Sequence, residues 1–495
     1  MSAPAQLPLF HVVGFSGHRQ IHDSAGAAQA VRCALEAVRR EGTGEWIALS
    51  SVAAGADTIF ARQALAQDLA WHVVLPFSPA EFSHDFSSEE WREVEALLAE
   101  AEQVQVIGET GSRDDTFLDC GLETVNGCDV FIALWDGQPA RGKGGTGDVV
   151  AYARELKKPI VLIDAATFTV QRENFERFVP HDHNLDYFNA LPDAPAAQEL
   201  LSGEDSSPAL RRILLFQQKV DYAALRGAPQ YRRLTSAIVL LHVLATLIAA
   251  AALAFSWHFA PVPWLKLCCL LGALGLALAL RRSGTHHQWV HCRLAAEIAR
   301  SAVATWGLPR AAPILADLDL ADFRQLMRTL HVLRRRAAAA APTSMAGFKQ
   351  FYLVHRVDDQ LAYYRRHLRR SEPLLRRLRF GFWISTVLAV LCTAAYALHL
   401  GGLSHGTESE ELLYYFLPIS LPVVAAAFLS LVSVYDLQRR VARYRETEHL
   451  LESCRSQIAF SQTWASLERI VERTERALLQ EVLEWHAITS FSESH

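Results

Sequence analysis

Ser236–Phe255 reads SAIVLLHVLATLIAAAALAF, twenty residues without Asp, Glu, Lys or Arg. At about 1.5 Å of rise per residue, such a helix covers the roughly 30 Å of a bilayer's hydrocarbon core. Phe380–Leu400 (FGFWISTVLAVLCTAAYALHL) and Leu412–Val434 share that freedom from charge, and Val262–Leu280 breaks it only at Lys266. A lysine so close to a helix start can extend its ammonium to the interface, so this segment also reads as a span. Pro418 and Pro422 fall in the fourth span and would kink it unless neighbouring helices satisfy the freed carbonyls. Buried core helices of a soluble protein are the competing reading.

Arginine placement orients these spans. The chain has 42 Arg against 6 Lys. Arg232 and Arg233 precede the first span, and Arg281 and Arg282 follow the second. Arg376, Arg377 and Arg379 precede the third; Arg439, Arg440 and Arg443 follow the fourth. The connectors Trp257–Pro261 and Gly401–Glu411 contain neither basic type. Because positive residues stay cytoplasmic, the pattern predicts two hairpins with both termini inside. Trp257, Trp264, Trp383, Tyr414 and Tyr415 take interfacial positions. Glu297-Ile-Ala-Arg300-Ser301 follows the first hairpin and Glu452-Ser-Cys-Arg455-Ser456 the second, an E-x-x-R-S echo that suggests a repeated unit with a cytoplasmic helix.

Upstream the pattern changes. Apolar runs at Phe10–Gly14, Trp46–Leu49, His72–Phe77, Val104–Ile107, Val130–Trp135 and Ile160–Ile163 alternate with helical stretches such as Ala27–Arg40 and Ala56–Leu69. Short runs without polar alternation, separated by helices, predict a parallel sheet covered on both faces. Ligands of such sheets bind beyond the carboxyl ends of the strands. There the sequence places Gly14-Phe-Ser16-Gly17-His18-Arg19, Ala54-Gly55-Ala56-Asp57, Trp135-Asp136-Gly137 and Gly142-Lys-Gly144-Gly145-Thr146-Gly147-Asp148. Small residues admit backbone N–H groups to an anion, Arg19 can fork onto a phosphate, and the glycine turn can aim a helix start at one. Asp57 suits either a helix cap or a ribose hydroxyl. The blander reading of each is turn chemistry. The glycine turn is not G-x-x-x-x-G-K-[ST], which disfavours a P-loop ATPase.

Other features exclude more than they assert. Net charge is −5, so no basic field points to nucleic acid. The eight Cys have neither C-x-x-C nor zinc spacing, which predicts a reducing compartment without disulfides or metal. No signal-peptide pattern opens the chain. The expected divisions are 1–165 for the sheet domain, 166–210 for a connector carrying His181 and His183, 211–310 for the first hairpin, 311–344 for a helical linker and 345–495 for the second hairpin. Apolar positions 467, 470, 471, 478, 482 and 485, with Thr474, make one sticky helix face that either packs on its own chain or self-associates.

GFSGHR, AAGAD, WDG and GGTGD, in that order and each after a strand, resemble the SLOG superfamily, the Rossmann-like fold of DprA, LOG and YpsA-type proteins. The resemblance covers about 8–165 and implies a nucleotide-derived ligand on Gly14, Ser16, Gly17, His18, Arg19, Gly55, Ala56, Asp57, Trp135, Asp136, Gly144, Gly145 and Thr146, with no other cofactor. LOG enzymes use an Arg and the Glu of PGGxGTxxE to cleave nucleoside monophosphates. Here Arg141-Gly-Lys-Gly-Gly-Thr-Gly-Asp148 lacks the leading Pro-Gly-Gly and the Glu, so the expectation is binding rather than hydrolysis, with Arg19 and Asp148 as the alternative catalytic pair. Arg356-Val-Asp-Asp-Gln-Leu-Ala-Tyr363-Tyr364-Arg365, followed by a hairpin and E-x-x-R-S, is similar to SLATT domains, two-span modules found beside SLOG domains in bacterial conflict systems. That likeness covers 345–485 well and 210–310 thinly, through Tyr231-Arg-Arg and the helix after the hairpin. It implies an inner-membrane, anti-phage effector that forms pores or disrupts the bilayer, as an oligomer, once a nucleotide signal is sensed. A membrane scaffold with a vestigial sheet domain is the third reading.

Overall fold

The computed structural model describes residues 6–108, 111–140, 142–195, 207–257, 259–283, 285–308, 320–340, 344–399 and 410–493. Arg141, the connector segment 203–206, linker residues 311–319, Pro342 and most of the outer connector (401–409) lie outside the described residues. The chain divides into two compact units, Met1–Ala190 with Asp319–Arg336, and Leu191–Leu318 with Ala337–His495.

The first unit is built on a seven-stranded sheet: β1 (Phe10–Gly17), β2 (Glu45–Ser50), β3 (Ala70–Leu75), β4 (Gln103–Val106), β5 (Val130–Trp135), β6 (Ile160–Asp164) and β7 (Val170–Glu173), in the order β4-β3-β2-β1-β5-β6-β7. All pairings are parallel except β6 with β7. The six apolar runs are the six parallel strands. Helices α1 (Ser24–Arg39), α2 (Ala56–Ala66), α3 (Pro79–Phe82), α4 (Ser88–Ala99), α5 (Arg113–Gly127) and α6 (Thr146–Glu155) connect them, and α7 (His183–Ala190) follows β7. Their starts are written locally. Asp23 accepts from the amides of Ala25 and Gly26, and Ser87 with Glu90 forms a reciprocal capping box. Phe15, Phe60 and Trp71 are buried in the core between sheet and helices, with Phe15 stacked on Phe60 at 4.5 Å.

Two boundaries move. The sheet continues past 165 through β7, and Asn189 of α7 exchanges hydrogen bonds with Leu7 at 2.9 Å. The stretch read as a linker returns to the sheet unit: on α11 (Arg324–Ala340), Arg328 pairs with half-buried Asp129, Thr329 donates to the Pro8 carbonyl at 3.0 Å, and Arg336 donates to Glu45 at 2.9 Å. Amphipathic spacing identifies a helix but not the surface it will cover.

The second unit is helical: α8 (Pro208–Ala254), α9 (Pro261–Ser283), α10 (Thr285–Ala304), α12 (Met345–Tyr352), a π turn at Leu353–Asp358, α13 (Asp359–His399), a second π turn at Glu411–Phe416, α14 (Leu417–Val434), α15 (Leu437–Phe460) and α16 (Trp464–Glu493). Among the described residues, four segments are long and apolar enough to cross a membrane, and only 11–17% of each apolar window is buried. Leu253, Trp264, Phe380, Trp383 and Val390 are exposed. Core helices would hide these side chains; apolar surface of this extent suits lipid. Lys266 is exposed on α9. Pro418 stands at the start of α14 directly after the second π turn, and Pro422 lies inside the helix.

Beyond the apolar segments the helices enclose an ionic core. Arg356 donates to both oxygens of Glu475, at 2.7 and 2.5 Å, and lies 2.9 Å from Glu297. Tyr352 donates to Glu475 at 2.8 Å, and Arg300 forks onto Asp221 at 2.7 and 2.8 Å. Leu467, Val471, Thr474, Leu478 and Val482 of α16 are buried, so this face packs on its own chain rather than associating with another.

Candidate functional site

Strands β1 to β4 are laid down in one direction from the centre, and β5 then crosses to the other side of β1. The carboxyl ends of β1 and β5 therefore flank the topological switch point, where chains leave the sheet in opposite directions. Gly17 pairs in register with Leu134, and the His18 amide donates to the Leu134 carbonyl at 3.2 Å. Just beyond this pair, His18 and Asp136 meet. His18 Nε2 accepts from the Asp136 amide at 3.0 Å and lies 3.1 Å from its Oδ1. Trp135 Nε1 donates to the Gln138 carbonyl at 2.8 Å, and Asp136 Oδ1 accepts from the Gln138 amide at 3.0 Å. Both residues of Trp135-Asp136 are thus tied into their own turn.

The second segment closes on the first. Gly55 has φ of +91°, and a side chain there would lie 2.2 Å from the Arg19 carbonyl oxygen. Glycine is required by that backbone crossing. Gly55 also occupies the N-cap of α2 without a side-chain cap. Asp57 does not cap α2. It is 3% exposed and accepts from Ser51 Oγ at 2.6 Å, the Gly17 amide at 3.1 Å and the Ala53 amide at 3.4 Å. It clamps the β1 turn to the β2 turn, and burial pushes its carboxyl up to about 6 against those donors.

The glycine turn follows β5. Gly144, at φ +83°, approaches Leu118 of α5 so closely that a side chain would lie 2.7 Å from its amide nitrogen. Its amide donates to Asp148 Oδ2 at 3.0 Å, so this carboxylate folds back on its own turn. Gly145 caps α6, and Thr146 is buried at its first position. Gly14 lies inside β1, against Cys128, short of the strand tip. Ser16 and Gly17 are half-buried at the end of β1, and Ala56 is buried at the start of α2. Arg19 is exposed, with its guanidinium carbon 5.6 Å from the Phe117 ring centre.

Arg113 and Phe117 were not singled out in the sequence. Arg113 pairs with Glu81 and Asp85, at 3.0 and 2.7 Å, and lies 4.3 Å over Phe77. The Ser112/Asp115 capping box at the start of α5 is the local signal that could have placed this helix end among the strand tips. The arrangement holds a half-exposed imidazole beside a carboxylate, a guanidinium stacked on an aromatic ring, and a glycine-capped helix start. Such groups can bind an anion and orient an aromatic base.

Residues 352–485 match the family described as SMODS and SLOG-associating 2TM effector domain 1. The match begins at Tyr352 and takes in both apolar helices of the second hairpin, the Arg356–Glu475 pair and most of α16. No curated protein matches the chain. The class defined is a Rossmann-like sheet unit followed by helices with membrane-spanning character, of which residues 352–485 are similar to a two-span effector domain.

Proposed function

We propose that this protein is a bacterial inner-membrane effector of the conflict-system, anti-phage type. Its strand-tip surface binds a nucleotide-derived signal, and binding shifts paired hairpins, in an oligomer, to a form that breaches the bilayer as a pore or by disruption. The observation that carries the reading is the two-span effector match at 352–485 in a chain that also bears a parallel sheet. The likeness of residues 8–165 to SLOG domains, and the open guanidinium of Arg19 at the switch point, support a phosphate-bearing ligand. Basic residues flanking the spans support cytoplasmic termini. The internal tie of Asp148 supports sensing over hydrolysis. Control of the membrane part requires the ligand to prefer one arrangement of the hairpins.

The test is calorimetry of the full chain in nanodiscs with nucleoside monophosphates and NAD. We expect saturable binding that Arg19→Ala weakens at least tenfold while membrane insertion is retained. No binding across the panel would favour a scaffold, and product formation lost in Asp148→Ala would favour a hydrolase.

A further inference from the structure

The helical unit contains its own plan twice. Lys219-Val220-Asp221 on α8 and Arg356-Val357-Asp358 in the first π turn each bury the valine and offer the aspartate to the arginine of an E-x-x-R-S segment. Asp221 takes Arg300 at 2.7 Å, and Asp358 takes Arg455 at 3.2 Å. The two E-x-x-R-S helices therefore occupy equivalent places, each after a hairpin and paired with the helix that led into it.

Their surroundings differ. On α10 the run Leu294–Ala299 is buried throughout, Ser301 is 1% exposed, and Glu297 is covered by Arg356 of the second repeat. On α15 only Leu451, Cys454 and Ile458 of the corresponding stretch are buried. Glu452 and Arg455 are exposed, as is Ser456, and Phe460 stands 82% exposed. These residues recur at three- and four-residue spacing and so share one side of the helix. Beside them an open groove of about 630 Å³ is lined by Ser456, Gln457, Phe460, Arg469, Ile470 and Arg473.

We propose that this face of α15, with the adjoining groove, docks a second copy of the chain. In the first repeat the equivalent face is covered by protein, so burial is the environment this plan uses. The patch carries both signs: Glu448 and Glu452 pair with Arg365 of the same chain, Arg455 with Asp358, and Arg469 and Arg473 line the groove. That composition is self-complementary and suits an isologous contact in which the same patch serves both protomers. Phe460 and the arginines are the residue types that anchor interface centres. The inference rests on the repeat, not on ligand binding by the sheet, so the two stand or fall separately.

The experiment places p-benzoyl-phenylalanine at position 460 of the full chain in nanodiscs and irradiates it. The expected product is an adduct of twice the chain mass, with the crosslink on α15 or α16 of the other copy. Phe460→Asp should weaken self-association at least tenfold by mass photometry, Phe460→Leu should largely retain it, and nucleotide binding should be unaffected in both. Adducts confined to lipid or to another protein, or self-association unchanged in Phe460→Asp, would overturn the proposal.

Discussion

Asp57 in the sheet unit and Glu297 in the helical unit are both buried carboxylates, yet their acidities move in opposite directions. Burial pushes each upward. For Asp57 nothing outweighs it: its hydrogen bonds come from Ser51, Ala53 and Gly17, and Arg19 is solvated, so the carboxyl is raised to about 6. Glu297 lies among Arg300, Arg356 and Arg293, which draw it down to about 2. Dipoles fix a buried carboxylate in place; full opposite charges fix its ionisation as well. The strand-tip region thus retains a group whose charge changes close to neutrality, while the helical core holds its charges locked.

Arg356 gives that contrast its largest expected effect. It is 1% exposed and serves Glu475 and Glu297 together, so Arg356→Met leaves two buried carboxylates without their shared cation. A loss of about 3–5 kcal/mol in the stability of the helical unit is expected, because removing one member of a buried pair strands the other. Thermal unfolding of the full chain in detergent reads it. A change below about 1 kcal/mol would show that water, rather than the guanidinium, solvates this core.

Opposite acidities predict opposite slopes with pH. The folded pKa of Asp57 lies above its ordinary 3.8, so the folded state holds the proton longer, and stability falls as pH rises from about 4 to about 6. Two units correspond to roughly 3 kcal/mol. For Glu297 the folded pKa is depressed from 4.5, so its contribution is complete above 4.5 and is lost as pH falls toward 2. Hydrogen exchange at the Gly17 and Ala53 amides, corrected for intrinsic rates, should show the first slope, and Asp57→Asn should flatten it. An unaltered slope in that variant would assign the titration to another group.

Much of this was legible in the sequence because it is local. The strand run Val130–Trp135 and the span Ser236–Phe255 announce themselves by composition and length, and Ser87-x-x-Glu90 announces a helix start. The edge strand Val170-Gln-Arg-Glu173 was not legible, since it is largely exposed and lacks an apolar run. At the candidate site the order of motifs brought four segments to the strand tips, and the structure joins His18 to Asp136 and Gly17 to Asp57. Which glycines serve packing was hidden, because Gly14 against Cys128 and Gly55 against Arg19 are contacts across the fold. Arg356 and Glu475 lie 119 residues apart, and no spacing rule joins them.

The smallest effect sharpens the comparison within the helical unit. Arg300 and Arg455 hold the same place in the two repeats and each meets an aspartate, but their side chains are 26% and 59% exposed. Arg300→Met removes a forked, half-buried contact and should cost about 2 kcal/mol. Arg455→Met removes a solvated one and should cost less than about 1 kcal/mol when the protein is dilute. If the α15 face is covered by a second copy, the cost of Arg455→Met grows with protein concentration, because the assembled state desolvates that pair as the first repeat desolvates Arg300. A cost equal to that of Arg300→Met at every concentration would mean that sequence equivalence, and not burial, sets the strength of these pairs.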